Sequence, residues 1–98
     1  MDKIFKALAD KNRRKIISLL KDTDLSVNEL LIHFNIRQAT LSNHLSILKK
    51  TNLVSNKVKG KQRIYSLNHE LFEKFIGELE NFIGHNNLTV QSDIKVRR

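Results

Sequence analysis

Short polar side chains between residues 37 and 44 are the first group whose types and spacing predict a chemical role. The segment carries one guanidinium, two amides and two hydroxyls ahead of a histidine. Amides pair with adenine, guanidinium groups pair with guanine, and hydroxyls reach base edges or the DNA backbone. On a helix that enters the major groove, such side chains read sequence. We therefore predict DNA contacts from Arg37, Gln38, Thr40, Ser42, Asn43 and His44.

A second group of basic side chains flanks Gly60, which separates two short stretches of strand-like sequence. Glycine adopts the positive φ that a tight hairpin turn needs. Lys59, Lys61 and Arg63 would then lie near the tip of a hairpin, where they suit phosphate or minor-groove contact. The alternative is that the lysines only protect an edge strand from pairing with other chains.

A third basic group lies at the start of a predicted helix over residues 11–21, for which Asp10 is a suitable N-cap. Cations are not favoured at a helix N-terminus, because the helix dipole is positive there. Arg13 and Arg14 therefore either belong to a solvated basic turn or, as we predict, contact DNA phosphates.

The chain of 98 residues is long enough for one small domain, and its charge is unevenly distributed. Eighteen Lys and Arg against ten Asp and Glu give a formal net charge of +8. Residues 25–67 carry +6, whereas residues 68–84 carry −3. This separation predicts that the middle of the chain meets a polyanion and that the acidic segment faces something else.

Several classes of protein are excluded by what the sequence lacks. The chain has no cysteine, so disulfide scaffolds, thiolate zinc sites and cysteine nucleophiles are excluded. It shows neither an apolar run of membrane-spanning length nor a signal peptide, so we expect a cytoplasmic protein without direct membrane insertion. Ser42, His44 and Ser46 have no acidic residue nearby to complete a triad, and the three glycines form no phosphate loop. We therefore expect neither an enzyme nor a bound cofactor.

Hydrophobic spacing and capping signals predict the elements that must position these groups. They are four helices, a two-stranded hairpin and a longer last helix, which together make a mostly α winged helix-turn-helix. The third helix begins at the capping box formed by Ser26 and Glu29, and we expect Asn35 to be left-handed near its end. The other predicted bounds are 3–9, 11–21 and 38–50 for helices, 53–59 and 62–67 for strands, and 69–84 for the last helix, capped by Asn68.

The last predicted helix carries more large apolar residues than one side of so small a core needs. With the apolar residues of the first helix, they predict a second apolar surface at which two copies of the chain pack as a homodimer. The alternative is ordinary core packing, which accounts for part of the stripe. The predicted dimer contacts are Ile4, Phe5, Leu8, Phe72, Phe75, Ile76, Leu79, Phe82 and Ile83.

Histidine spacing leaves a metal site open as an alternative. His69 and Glu73 are four residues apart on the last predicted helix, which is a spacing that metal ligands use, and His85 is a further candidate. One such pair is more often solvated, so we predict no metal site.

In these segments the chain resembles the ArsR family of winged-helix repressors, over residues 3–84. The similarity lies in residues 4–10 and 13–17, in the segment QATLSNHLSIL that begins at Gln38, and in Leu53–Val54, Gly60 and Tyr65–Leu67 of the hairpin. Within the family, the chain is similar to the subgroup of small SdpR-like autorepressors.

This resemblance implies a homodimer that binds an inverted-repeat operator in double-stranded DNA and represses transcription, often of its own operon. By motif position, it implies that Gln38, Thr40, Ser42 and Asn43 read the DNA. In SdpR-like relatives a membrane-bound protein can sequester the repressor, so the resemblance also implies a regulatory protein partner.

The chain departs from the family pattern at three places. Its third helix has no cysteine pair, so the thiolate metal sensor of many members is absent. Only His69 and Glu73 correspond to the metal-binding pairs that other members carry on the last helix. Lys11 replaces a frequent proline and Arg37 a frequent capping Ser or Thr, which predicts a poor cap, added positive charge toward DNA and a different operator preference.

We predict two parts of the chain. Residues 1–84 form a winged helix-turn-helix domain for DNA binding and dimerisation, and residues 85–98 form a polar basic tail that is partly disordered. The predicted function is a sequence-specific repressor without a cysteine metal sensor. Two alternatives stay open: a metal-responsive repressor that uses the last-helix His/Glu pair, and a winged-helix module for protein interaction that lacks sequence-specific DNA binding.

Overall fold

The computed structural model describes residues 1–84, so the predicted tail 85–98, with His85, lies outside the described residues. The order of elements is the predicted one, with one added strand. The helices are α1 (Asp2–Ala7), α2 (Lys11–Leu20), α3 (Val27–Leu31), α4 (Gln38–Lys50) and α5 (His69–Ile83). The strands are β1 (Leu25–Ser26), β2 (Val54–Lys59) and β3 (Gln62–Leu67).

Side-chain caps fix where α3 and α5 begin, as the sequence predicts. The Ser26 hydroxyl accepts a hydrogen bond from the Glu29 amide at 3.1 Å, and the Glu29 carboxylate accepts one from the Ser26 amide at 2.8 Å. The Asn68 side chain accepts from the amide of Leu71 at 3.1 Å. Each cap satisfies backbone donors that have no partner within the first turn of a helix.

The small sheet is antiparallel, with the strand order β1-β3-β2. The predicted hairpin of β2 and β3 turns at Gly60, whose φ is +65°. The added strand β1 pairs Leu25 with Tyr65 and Ser26 with Ile64. Two residues are too few to show an alternating pattern, so only the tertiary structure reveals this strand. It ties the start of α3 to the wing, the hairpin of β2 and β3.

The turns around the helix-turn-helix differ from the prediction in two respects. The third helix ends at Leu31, several residues before the predicted end near Asn35, and Phe34 packs against the core from the turn that follows. The prediction of a left-handed Asn35 is wrong, because Asn52 is the one non-glycine residue with a positive φ in residues 1–84, at 68°. Asparagine tolerates this region better than most residues. It lets the chain leave α4 and enter β2, and the Asn52 carbonyl accepts from the Asn68 side chain at 3.1 Å.

Packing against the core fixes which side of α4 faces inward. Leu41, Leu45 and Leu48 of this helix are fully buried against α2, α3 and β2. Fully burying a leucine side chain stabilises a fold by about 1.5–3 kcal/mol, so rotating α4 out of this position is costly. In this position Ser42, Asn43 and Ser46, which lie between these leucines in sequence, face outward.

Candidate nucleic-acid interface

The exposed face of α4 carries the predicted reading residues at its N-terminal end. Gln38, Thr40, Ser42 and Asn43 are all exposed, whereas the leucines of the same helix are buried. Arg37 occupies the N-cap position without a side-chain capping bond, and it is exposed as well. The amides, hydroxyls and guanidinium predicted from the sequence are thus all accessible to a partner. They are free of intramolecular hydrogen bonds in the described part of the chain.

The wing lies beside this face, and the two enclose a concave groove of about 380 Å³. Gln38 and Ser42 of α4 line the groove together with Lys61 and Arg63 of the wing, and no carboxylate lines it. Lys59 is exposed near the same turn. The groove is therefore polar and cationic, which suits an anionic backbone with accessible base edges.

Two residues of this groove were missed by the sequence analysis. Asn28 of α3 and Gln62 of β3 also line it, and both are exposed. Each has an amide that suits base or phosphate contact. Nothing in the local pattern distinguishes Asn28, because only the pairing of β1 with β3 brings α3 beside the wing. Gln62 lies in the predicted wing, between Lys61 and Arg63.

The prediction that His44 contacts DNA is corrected by its position. Its residue surface is 8% exposed, and it faces the start of α2 instead of the outer surface of α4. Its Nδ1 atom lies 3.2 Å from Nη1 of Arg13 and 4.0 Å from the Asp10 carboxylate. Because a helix turns 100° per residue, the side chain next to Asn43 can point inward while Asn43 points outward. His44 is thus a buried polar residue that anchors α4.

The two arginines predicted to contact phosphate bind the end of α1. Arg13 is half-buried, and its Nε donates to the carbonyl of Ala7 at 2.6 Å. The Nη1 of Arg14 donates to the carbonyls of Leu8 and Ala9 at 2.8 and 3.0 Å. These bonds satisfy carbonyls at the C-terminal end of α1 that lack helical partners. For Arg13 this corrects the prediction, whereas the exposed Arg14 stays a predicted phosphate contact.

Asp10 completes this polar cluster. Its carboxylate accepts from the amides of Asn12 and Arg13, at 2.8 and 3.1 Å, as the predicted N-cap of α2. Burial by itself would raise the pKa of Asp10, but the hydrogen bonds from Arg13 and Asn12 outweigh it. Together with the nearby His44 and the Arg13 guanidinium, they hold the pKa of this carboxyl below its usual range.

The predicted dimer surface divides into residues that stay exposed and residues that the protomer buries. Phe82 is 81% exposed, and Phe5 and Ile76 are about two-fifths exposed. The inclusion of Ile4 and Phe75 is corrected, because both are 95% buried inside the protomer. The remaining predicted contacts, Leu8, Phe72, Leu79 and Ile83, are half-buried or exposed. The Phe5 ring packs edge-on against Phe75, 5.1 Å between centroids, and so joins α1 to α5.

Within one chain, residues 1–84 hold neither a cluster of three potential metal ligands nor a membrane-spanning helix. No group of three or more His, Asp or Glu side chains in this part of the chain could hold a metal ion, and His69 and Glu73 are exposed. No helix in the same residues is long and apolar enough to cross a membrane.

Helix-turn-helix, wing and cationic groove together define a winged-helix regulator of transcription. A sequence model of the family described as "Bacterial regulatory protein, arsR family" matches residues 10–56. The transcriptional repressor SdpR of Bacillus subtilis is 41% identical over 90 residues, which cover 90% of this chain and all of SdpR. The arsenical resistance operon repressor of Staphylococcus aureus is 34% identical, covering 94% of this chain and 88% of the relative. The chain therefore belongs to the ArsR family.

Solved structures show the same fold. A possible transcriptional regulator for arsenical resistance superposes with a TM-score of 0.78 at 25% identity, covering 97% of this chain and 99% of the other. HlyU from Vibrio cholerae superposes with a TM-score of 0.69 at 30% identity, covering 82% and 87%. These superpositions confirm the winged-helix prediction. Because the family and the relatives are regulators of transcription, they also support the expectation that the chain is not an enzyme.

Proposed function

We propose that this protein is a sequence-specific repressor that binds an inverted-repeat operator as a homodimer. The observation that carries the proposal is the groove in which Gln38 and Ser42 of α4 lie beside Lys61 and Arg63 of the wing. Base-reading amides and phosphate-binding cations in one concavity are what a duplex requires. Membership in a family of transcriptional regulators supports the same conclusion.

In the proposed complex, α4 enters the major groove with its N-terminal end first. Arg37, Gln38, Thr40, Ser42 and Asn43 then contact base edges, and Arg14 approaches a phosphate of the same site. The wing follows the DNA backbone with Lys59, Lys61 and Arg63. Each phosphate contact releases a counterion, so affinity falls with salt.

The homodimer would form through the apolar surface shared by α1 and α5, where Phe5, Ile76 and Phe82 are exposed. The twofold axis then places two copies of α4 about 34 Å apart, which is one helical turn of DNA. Residues 1–84 serve both DNA binding and dimerisation in this arrangement. Negative charge on α5 fits a position at the dimer axis, away from the phosphates.

Repression in this proposal is steric, because the bound dimer covers promoter DNA. The operator lies upstream of the protein's own gene, and the repressor works in the cytoplasm without a thiolate metal sensor. Release from DNA follows from a regulatory protein partner or another ligand.

The test is binding of the full chain to a labelled duplex from upstream of its own gene, at physiological salt with excess random DNA. The expected result is competitor-resistant binding that zinc leaves unchanged. A zinc-dependent affinity would instead favour a metal-responsive repressor that uses His69 and Glu73. Binding that random DNA abolishes would contradict the proposal and favour a module for protein interaction, provided that a selection from random duplexes also enriches no sequence.

The matched variants separate the groove from the rest of the basic surface. Lys61 lies in the groove, so Lys61→Ala removes one positive charge from it. Lys21→Ala removes one positive charge from an exposed position outside the groove. The proposal requires that Lys61→Ala weakens operator binding and that Lys21→Ala changes it less. Equal losses would point to a general effect of net charge.

A further inference from the structure

A cleft between α1 and the C-terminal half of α4 is separate from the DNA-facing groove. Its floor includes Ala7 of α1 and Ile47 of α4, and it has no residue in common with the groove. It also shares none with the apolar hollow between Phe5 and Phe82, at the proposed dimer surface. Neither DNA binding nor dimerisation as proposed above uses this cleft.

The chemistry of the cleft is apolar at the floor and cationic at the rim. Lys3, Lys6 and Lys50 line it, and no carboxylate does. In residues 1–84 none of these three lysines makes an ion pair or a side-chain hydrogen bond. Three cations of like sign gathered around methyl and methylene groups repel one another, and an anion placed among them would relieve that repulsion.

The size of the cleft suits a small molecule. Its volume is about 340 Å³, and ligand sites commonly span roughly 300–1,000 Å³. A bare inorganic anion would leave the apolar floor against water, and a neutral apolar molecule would leave the lysines unpaired. A carboxylate with a short hydrocarbon body satisfies both parts.

We propose that this cleft binds a small organic carboxylate with an apolar body. The carboxylate group lies among Lys3, Lys6 and Lys50, and the hydrocarbon packs on Ala7 and Ile47.

The recognition helix would sense the bound molecule through Arg13, which also lines the cleft. The Nη1 of Arg13 is bound to His44 of α4, and its Nε is bound to the end of α1. A carboxylate held among the three lysines adds negative charge beside this guanidinium and draws it away from His44, so occupancy weakens the anchor of α4 and lowers affinity for the operator. This regulatory part rests on the proposed function, whereas binding itself does not.

The binding test uses octanoate as the probe, with the full chain in the absence of DNA. Amide chemical shifts report the site, with 1-octanol as the neutral control and acetate as the anionic control. Octanoate should shift the amides of Ala7, Ile47 and Thr51 in a saturable way, and both controls should bind at least about tenfold more weakly. Equal binding of octanol or acetate, or shifts centred on Phe5 and Phe82, would overturn the proposal.

Charge variants locate the carboxylate. Lys3→Gln and Lys50→Gln should each weaken octanoate binding by roughly two- to fivefold, which corresponds to one exposed ion pair. The matched control Lys21→Gln, exposed at the end of α2 and outside the cleft, should leave the affinity unchanged. Losses of the same size in all three variants would indicate a nonspecific effect of net charge and would contradict the site.

The last measurement is operator binding at saturating octanoate. A weaker operator complex supports coupling through Arg13, and an unchanged one contradicts that coupling. If the protein binds no operator at all, the proposed function fails, but the octanoate measurement without DNA still decides whether the cleft is a binding site.

Discussion

The Nη1 atom of Arg13 lies 3.2 Å from Nδ1 of His44, and this contact joins the start of α2 to the recognition helix α4. A guanidinium group only donates hydrogen bonds, so in this contact Nη1 of Arg13 is the donor and Nδ1 of His44 the acceptor. His44 is buried and next in sequence to the exposed Asn43. The pair therefore fixes the inner face of the helix whose outer face would read DNA.

Replacing His44 by a residue without a hydrogen-bond acceptor should destabilise the protein more than replacing it by a residue that keeps one. His44→Leu leaves the half-buried guanidinium of Arg13 without this partner, which costs about 1–3 kcal/mol of unfolding free energy. His44→Asn places a carbonyl oxygen near the position of Nδ1, so part of the loss should be recovered. Urea unfolding at pH 7 measures both variants. Equal losses would mean that the shape of the ring matters and its hydrogen bond does not.

Acid should remove a stabilising contribution of Asp10. Its pKa is lowered in the folded protein, so the ionised carboxylate stabilises the fold above the unfolded-state pKa. That contribution is lost as pH falls through the folded-state pKa. Asp10→Asn keeps a capping oxygen but cannot ionise, so its deficit in unfolding free energy relative to the natural sequence should shrink below about pH 4.

Urea titrations at pH 7 and pH 3 measure this effect of Asp10. The matched control is Asp22→Asn, an exposed aspartate that follows α2 and caps no helix. A deficit for Asp10→Asn that stays constant from pH 7 to pH 3 would show that the carboxylate acts only as a cap and that its charge contributes nothing.

Gln38→Ala should affect one position of the operator. The amide suits a bidentate contact to adenine, so its loss should cost about 1–3 kcal/mol at one base pair and relax the preference there. Binding to a panel of operators with single substitutions measures the effect. Weakening of the same size on every sequence would instead make Gln38 a contact to the DNA backbone.

Lys61→Ala should change the salt dependence of DNA binding. One lost phosphate contact reduces the slope of log affinity against log salt by about one unit. Titrations between low and physiological salt measure this slope, with Lys21→Ala as the control of equal charge. An unchanged slope for Lys61→Ala would remove the wing from the interface.

Phe82→Glu should separate the proposed dimer without unfolding the protomer. The side chain is 81% exposed, so the protomer loses little, whereas a dimer would lose two buried rings. At about 1.5–3 kcal/mol per ring, the dissociation constant should rise by roughly a hundredfold or more. Sedimentation velocity measures the oligomeric state.

The matched control for this variant is Ile32→Glu, because Ile32 is also 81% exposed but lies just after α3, away from the proposed dimer surface. It should leave the dimer intact. A monomeric natural sequence, or a dimer that survives Phe82→Glu, would contradict the α1–α5 interface.

Local signals in the sequence determined most of the elements. The capping box at Ser26 and Glu29, the cap at Asp10 and the glycine turn at Gly60 each act within a few residues, so their physics is complete in the local sequence. The leucine spacing 41, 45, 48 also fixed which side of α4 is buried. The family resemblance followed from the same segments.

Only the tertiary structure decided which polar and apolar residues find partners. His44 has the same type and neighbours as a DNA contact would have, but Asp10 and Arg13 approach it from another helix and make burial favourable. Phe75 and Phe82 lie on one apolar stripe of α5, yet the first packs against Phe5 while the second is left exposed. Such outcomes depend on contacts between residues far apart in sequence, and no local pattern contains them.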